Sequence, residues 1–340
     1  MKKTLIALAA VAASSAALAQ STVTMYGVMD LSVESVKGES STSRVTSGNH
    51  TTSRFGLRGS EDIGGGLRGV FVLETAVGAD TGSSGSGTRF FDRAAYLGLQ
   101  GGFGELRLGR QDTPIGALAG NTSLLGGQAY DDFKIAGTLA GNTARRTDNA
   151  VTYILPKLVD GLSAQLQYST KLSGGEVAND DSGEHYGLSV QYTAGGFGAG
   201  LGYVNAKNSA DGSDKLKGLL VYGSYNFGVA KLTGYYNRDT DSTEAEKSKL
   251  YGVRVDVPVN NNFAVQASLS KSQDNTLAAN TDDDDATIMA LKGTYSLSKR
   301  TAVYGLFTNV SNGKDSSVGI VSTPTDKTSR GLAVGVVHKF

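Results

Sequence analysis

Histidines, cysteines and glycine motifs limit the chemistry that this chain could perform. The 340-residue sequence has three histidines, His50, His185 and His338, and no cysteine. The histidines are far apart and show neither metal-ligand spacing nor a Ser-His-Asp arrangement. Residues 64–69 carry a GxGxxG pattern, but predicted strands surround it and no helix follows, so a turn is favoured over a dinucleotide site. The sequence therefore predicts no catalytic residues, no metal and no cofactor.

Charged residues on the polar side of apolar stretches offer a different chemistry. In an extended segment, Arg54 lies on the same side as Arg58 and opposite Phe55 and Leu57. Glu74 lies on the polar side of its own stretch by the same count. Inside a hollow sheet, such groups would act on passing ions rather than on a chemical bond. The alternative for Arg54 is a position at the rim, bound to lipid headgroups.

The elements that must position these residues are strands. Apolar residues recur at every second position over stretches of about ten residues, which is typical of strands with one apolar face. In the first stretch, Val23, Met25 and Val33 share one side, and Thr24 and Asp30 share the other. A soluble β-sandwich can show the same alternation, so the connections must distinguish the two folds.

The connections alternate in length. Seven short turns, most of them rich in Gly or Asn, occur at 64–66, 101–102, 160–161, 195–196, 227–228, 260–262 and 298–299. Eight longer polar segments occur near 37–52, 79–89, 112–145, 173–184, 206–216, 238–248, 273–285 and 311–328. Fifteen connections join sixteen strands, and short turns at one rim with long loops at the other are typical of outer-membrane barrels. The sequence therefore predicts an all-β, transmembrane, antiparallel barrel of sixteen strands.

The first nineteen residues have the features of a secretory signal peptide. Lys2 and Lys3 precede a short apolar stretch at 5–11, and small residues at 17–19 form a cleavage signature. We expect residues 1–19 to be removed and residues 20–340 to form the barrel. The full chain has 32 basic and 32 acidic residues, and removal of the two lysines leaves 30 against 32. This balance gives no case for nucleic acid as a partner.

Several motifs resemble one known family. They are VTMYGVMD at 23–30, SRFGLRGSEDIGGGL at 53–67, DRAAYLGL at 92–99, LGRQ at 108–111 and the terminal HKF. Over its whole length the chain resembles the Gram-negative general diffusion porins of the betaproteobacterial type. The resemblance implies a sixteen-stranded homotrimer in the outer membrane, in contact with lipid and lipopolysaccharide, through which small hydrophilic solutes and ions diffuse.

The resemblance also implies a narrow throat. The segment 112–145, called the third loop below, is expected to fold into the barrel as a constriction loop and to face acidic groups towards arginines on the wall. Four arginines match the wall positions in these motifs: Arg54, Arg93, Arg110 and Arg146. Asp131 and Asp132 are expected to supply the acidic side, with Glu74 as a further inward-facing acid. The alternative for the two aspartates is a solvated turn.

Strict alternation does not support every one of these arginines. If Leu97 and Leu99 face outwards, Arg93 also faces outwards unless a bulge intervenes, and the count along the next strand raises the same difficulty for Arg110. Arg145 and Arg146 are adjacent, so only one can face inwards, and the spacing to the following turn favours Arg146.

Charged groups that oppose each other across a narrow throat orient water and dipolar solutes and disfavour apolar ones. Four wall arginines against two loop aspartates predict a general diffusion pore with a mild preference for anions. The main alternative is a substrate-specific channel for sugars or anions; a barrel enzyme and a surface adhesin or soluble β protein are further alternatives. The acidic run at 282–285 either binds divalent cations at the lipopolysaccharide surface or is simply solvated.

Overall fold

A computed structural model of the protein describes residues 22–85, 89–125, 129–142, 144–170, 183–207, 215–241, 246–273 and 284–340. The signal peptide predicted at 1–19 lies outside the described residues. The strands are β1 Thr22–Lys37, β2 Ser41–Ser47, β3 Arg54–Gly64, β4 Leu67–Gly78, β5 Ser83–Ser84, β6 Ala94–Gly101, β7 Gly104–Asp112, β8 Arg146–Ile154, β9 Leu162–Ser169, β10 His185–Ala194, β11 Phe197–Lys207, β12 Lys215–Asn226, β13 Lys231–Thr240, β14 Glu246–Pro258, β15 Phe263–Gln273, β16 Ala286–Ser296, β17 Thr301–Asn312 and β18 Thr328–Lys339. Two helices, α1 Pro114–Thr122 and α2 Asp132–Ile135, lie in the third loop.

The strands close into a barrel. Each wall strand pairs antiparallel with its neighbours, and β1 pairs with β18 from Val28 opposite Lys339 to Lys37 opposite Arg330. Two strands, β2 and β5, do not add to the wall count. β2 and β3 lie end to end along β1, so together they occupy one position in the wall. The two-residue β5 pairs with the end of β4. The described part of the chain therefore forms sixteen wall strands, as the connection count predicted.

The first long loop differs from its prediction at 37–52, because β2 lies within it. The strand turns tightly after β1, with Ser41 opposite Lys37, and continues to Ser47 opposite Leu31. The chain then leaves the wall before β3 begins, and the backbone amides of His50 and Thr51 each donate to Asp30 Oδ2 at 2.8 Å. The Ser/Thr-rich composition of this strand has no apolar alternation, so its sequence resembles a loop.

The two faces of the wall have opposite character. On β1, Val23, Met25 and Val33 are between 62% and 67% exposed, whereas Asp30 and Glu34 on the inner face are at most 2% exposed. The same outward apolar pattern recurs around the barrel, for example at Leu97, Leu166, Met289 and Val334. An exposed apolar band of this extent is typical of a lipid-facing surface.

The third loop packs against the inner wall. Ile115 and Leu118 of α1 are fully buried and belong to one cluster with Val204 of β11 and Leu220 of β12. Glycine leaves room for the helix, since a Cβ at Gly202 would lie 3.0 Å from Leu118 Cδ2. α1 therefore lies inside the barrel against β11 and β12. Within the described ranges, no helix has the length and apolar character needed to cross a membrane.

Candidate functional site

Beside the third loop, the lumen holds an open cavity of about 560 Å³. Its charged lining consists of five arginines and two carboxylates: Arg54, Arg58, Arg93, Arg107, Arg146, Glu74 and Asp112. The positive groups therefore exceed the negative ones by three. The wall strands β3, β4, β7 and β8 carry most of these groups, and Ala117 of α1 lines the cavity from the third loop. The cavity thus lies between a cationic wall and the loop.

Glu74 lies at the centre of the arginine wall. Its carboxylate accepts a hydrogen bond from Arg93 Nε at 2.5 Å and one from the Tyr26 hydroxyl at 2.9 Å. Arg54 Nε is 3.7 Å from the same carboxylate. Gly56, two residues after Arg54, is opposite Glu74 in the register of β3 and β4. The structure therefore brings Arg54, Arg93 and Glu74 together, and the carboxylate holds both guanidinium groups in place.

Arg146 is placed at the start of β8, next to the end of β7. Its Nε lies 2.9 Å from Asp112 Oδ1, and the neighbouring Arg145 approaches the same carboxylate at 3.7 Å. Arg146 lines the cavity, whereas Arg145 bonds to the Gly116 carbonyl of α1. This arrangement places Arg146 in the lumen, as the spacing favoured, and adds Asp112, which the sequence analysis did not select.

Arg110 lies apart from this group. It is opposite Ala95 in the register of β6 and β7, on the face that carries Leu97 and Leu99. Its guanidinium bonds to Asp148 at 2.5 Å and to the carbonyl of Asp92 at 2.6 Å. Gln111 shares the parity of Arg107 and lines the cavity, and the register with β8 shifts between Gly109 and Gln111. Arg110 was expected in the constriction, but it does not line the cavity. Its side chain lies on the face that strict alternation along β7 indicates.

Asp131 and Asp132 also lie apart from the arginines. Asp131 caps α2 by accepting from the Phe133 amide at 3.1 Å and also accepts from the Leu125 amide at 3.1 Å. Asp132 accepts from the hydroxyl of Tyr235 on β13. Both are buried, at 0% and 3% exposure, and neither lines the cavity. Burial, together with the neighbouring Asp131, raises the pKa of Asp132 well above its usual value. Asp132 therefore joins the loop to the wall, and Asp131 joins two parts of the loop to each other.

Cationic side chains of the far wall secure the other end of α1. Arg254 of β14 donates to the carbonyls of Thr122, at 3.3 Å, and of Ser123. Lys292 of β16 donates to the Leu124 carbonyl at 3.2 Å. The carbonyls at a helix C-terminus lack intrahelical partners and carry partial negative charge, so two cations stabilise this end of the helix. Alternation along β14 and β16 indicates from the sequence that both side chains face into the barrel. It does not identify the carbonyls of the third loop that they bind.

Two further arginines of the cavity were not selected from the sequence. Arg58 lies with its Cζ 5.2 Å from the centre of the Tyr26 ring, and Arg107 lies 4.8 Å from the centre of Tyr96. Arg107 also bonds to Glu105 at 2.5 Å. Both pairs are cation–π contacts that hold a guanidinium against an inner-wall ring. Arg58 shares the parity of Arg54, and that signal could have found it.

Two of the three histidines, His185 and His50, are packed inside the structure. His185 Nε2 lies 3.0 Å from Gln167 Oε1, and the ring is fully buried. His50 stacks on Tyr304 with ring centres 5.0 Å apart, and burial lowers the pKa of His50 to about 4. Across the described ranges no three His, Asp or Glu residues come together as a potential metal site. Asp282 and Asp283 of the acidic run lie outside the described residues.

The chain is similar in sequence and in structure to several known outer-membrane proteins. The protein is 33% identical over 362 residues to outer membrane porin protein 32 of Delftia acidovorans, and 28% identical over 400 residues to an outer membrane porin protein of Bordetella pertussis, with all of each chain covered. The anion-selective porin from Comamonas acidovorans has a similar structure, with a TM-score of 0.79, 26% identity, and coverage of 94% of this chain and 100% of that one. The trimer form of OmpT from Vibrio cholerae shares the fold, with a TM-score of 0.67, 18% identity, and coverage of 94% and 99%.

The family assignment follows from the extent of these matches. Residues 4–315 match the Gram-negative porin family. The porins of Delftia and Bordetella are matched from end to end, and the wall closes into the sixteen strands expected of such a channel. The chain therefore belongs to the Gram-negative porin family and is an outer-membrane β-barrel channel.

Proposed function

We propose that the protein is a general diffusion porin that passes small hydrophilic solutes and ions with a mild preference for anions. The observation that carries the proposal is the charged lining of the cavity, where five arginines accompany two carboxylates. A fixed excess of positive charge lowers the energy of an anion in the lumen and raises that of a cation.

Pairing within the wall keeps the preference mild. Arg54 and Arg93 share Glu74, and Arg146 is bound to Asp112. A guanidinium with a carboxylate beside it acts on a passing ion as a dipole, whose field declines more steeply with distance than that of a single charge. Glu74 and Asp112 supply the carboxylates of the cavity, and they belong to the arginine wall instead of facing it, as was expected of Asp131 and Asp132.

Two further points of the proposal come from the relatives. The solved porin of Comamonas acidovorans is described as anion-selective, which agrees in sign with the arginine excess here. The Vibrio cholerae protein of the same fold is described in a trimer form, and on that basis we propose a homotrimer for this chain. We also propose that residues 1–19 are cleaved during export and that outer-leaflet lipid and lipopolysaccharide surround the barrel.

Planar-bilayer recording of the purified protein tests the proposal. We expect three equal closing steps, a reversal potential in a salt gradient that shows mild anion preference, and no saturable block by sugars or organic anions. Clear cation preference would contradict the assignment of the arginine wall. Saturable block by one solute would support a substrate-specific channel instead.

A further inference from the structure

One arginine of the cavity, Arg58, differs from the others because its donor groups are free. Arg58 is exposed and lines the open cavity, so its exposure is to the lumen. Across the described part of the chain, its guanidinium group donates no hydrogen bond and has no carboxylate within ion-pair distance. The five N–H donors of this planar group are therefore available to a solute in the cavity.

The other four arginines of the cavity already have partners. Each lies within ion-pair distance of a carboxylate: Arg54 and Arg93 share Glu74, Arg107 is beside Glu105, and Arg146 is beside Asp112. Arg54 also donates through Nη1 to the Thr52 carbonyl at 3.1 Å. All four are only partly exposed. An anion that approaches one of them must compete with a carboxylate in place, whereas Arg58 has no such competitor.

The ring of Tyr26 orients Arg58 from one side. The guanidinium carbon Cζ lies 5.2 Å from the centre of this ring, and the Tyr26 hydroxyl donates to Glu74 at 2.9 Å. A cation–π contact engages the flat face of a guanidinium group, whereas its N–H donors lie along the edge. The ring therefore holds Arg58 in place without using the donors that an anion would need.

We propose that Arg58 is a transient contact site for carboxylate anions and gives the pore a preference for carboxylates over halides of the same charge. The inference rests on the proposed passage of anions through this lumen. The two oxygens of a carboxylate accept two parallel N–H bonds from the edge of a guanidinium group, and a spherical halide has no second acceptor atom. A single exposed guanidinium group holds a carboxylate weakly in water, so these solutes pass without saturable block.

Reversal potentials with acetate on one side of a bilayer and chloride on the other measure the acetate-to-chloride permeability ratio. Arg58→Lys keeps the charge and loses the planar donor edge. Arg54→Lys is the matched control, because the donors of Arg54 are engaged by Thr52 and lie beside Glu74. After correction for the mobilities of the two anions in bulk water, the wild-type ratio should exceed that of Arg58→Lys about threefold. Arg54→Lys should have the same ratio as the wild type.

Two outcomes would overturn the proposal: equal ratios in the wild type and Arg58→Lys, or an equal fall in both lysine variants. A gradient of one salt measures the preference for anions over cations separately, and both variants should keep it because they keep the charge. Mild anion preference with no effect of Arg58→Lys would refute the contact site and leave the porin function intact, whereas cation preference in the wild type would refute the proposed function itself.

A measurement on the wild type alone decides the case in which Arg58→Lys forms no channels. Phenylglyoxal labels accessible arginines, and peptide mass spectrometry identifies them. Arg58 should react before Arg54 and Arg93, and acetate should slow its reaction. A later reaction of Arg58, or a rate that acetate does not change, would overturn the proposal.

Discussion

Replacement of Glu74 by glutamine removes the carboxylate at the centre of the arginine wall. Glu74 lines the cavity and bonds to Arg93 and Tyr26, so the isosteric amide keeps hydrogen-bonding capacity while the charge is lost. The positive excess of the lining rises from three to four. Glu74→Gln should therefore increase the preference for anions.

The magnitude follows from Coulomb's law. A unit charge interacts with an ion passing at about 5 Å by roughly 0.8 kcal/mol in water, and screening at 0.1 M salt reduces this to roughly 0.5 kcal/mol. Loss of the carboxylate removes that repulsion for an anion and that attraction for a cation. The two effects add to about 1 kcal/mol, so the anion-to-cation permeability ratio should rise about fivefold.

The reversal potential across a bilayer with a salt gradient measures this ratio directly. Asp148→Asn is the matched control, because Asp148 also binds two arginines, Arg89 and Arg110, yet does not line the cavity. It should leave the ratio unchanged. A ratio that is unchanged in Glu74→Gln, or that moves towards cations, would refute the electrostatic account of the lumen. An equal rise in both variants would show that the effect does not depend on the cavity.

Three further predictions concern Arg54, Gly202 and Asp132. Arg54→Gln should lower the anion-to-cation ratio by a similar factor of about five, whereas Arg110→Gln, outside the cavity, should leave the reversal potential unchanged. Gly202→Leu should lower single-channel conductance, because the new side chain occupies the place of Leu118 and moves α1 towards the arginine wall; unchanged conductance would contradict this packing. The raised pKa of Asp132 means that the folded protein keeps a proton that the unfolded chain releases above about pH 4, so stability should decline as pH rises from there to the folded pKa. In Asp132→Asn this contribution is absent, so the denaturation midpoint should fall less between about pH 4.5 and 7.5 than it does in the wild type. An equal fall in both proteins would contradict the burial of the group.

The strands were predictable because their signal is local. A period of two and the alternation of short and long connections identify the wall, since each strand must present one face to lipid and the other to water. β2 was missed for a physical reason: its outer face is polar, as in Ser41 and Ser43, and only its pairing with β1 makes it a strand. Nothing in the residues themselves distinguishes this strand from a loop.

The site was predictable where a side chain's direction follows from its strand. The sides of Arg54 and Glu74 follow from alternation alone, and both line the cavity. Alternation also indicates that Arg110 faces away from the lumen, whereas the family motif implies that it faces inwards. Its register opposite Ala95 agrees with alternation. Direction within the third loop does not follow from alternation. Asp132 meets Tyr235, which is 103 residues away in the chain, so its burial could not be inferred from its surroundings in sequence.

The packing of the third loop explains why the arginine wall borders the open path. α1 is apolar on the side that meets glycines and aliphatic residues of β11 and β12, and Arg254 and Lys292 hold its last carbonyls on the far wall. Ala117 of α1 lines the same cavity as Arg54 and Arg93, so the open path runs between this helix and the wall that carries the arginines. The carboxylates that stabilise these arginines belong to the same wall, so the pairs orient the guanidinium groups while the three excess charges set the sign of selectivity. A pore of this design gains rigid cationic groups without a deep anion well, and this combination permits rapid diffusion with only a mild preference.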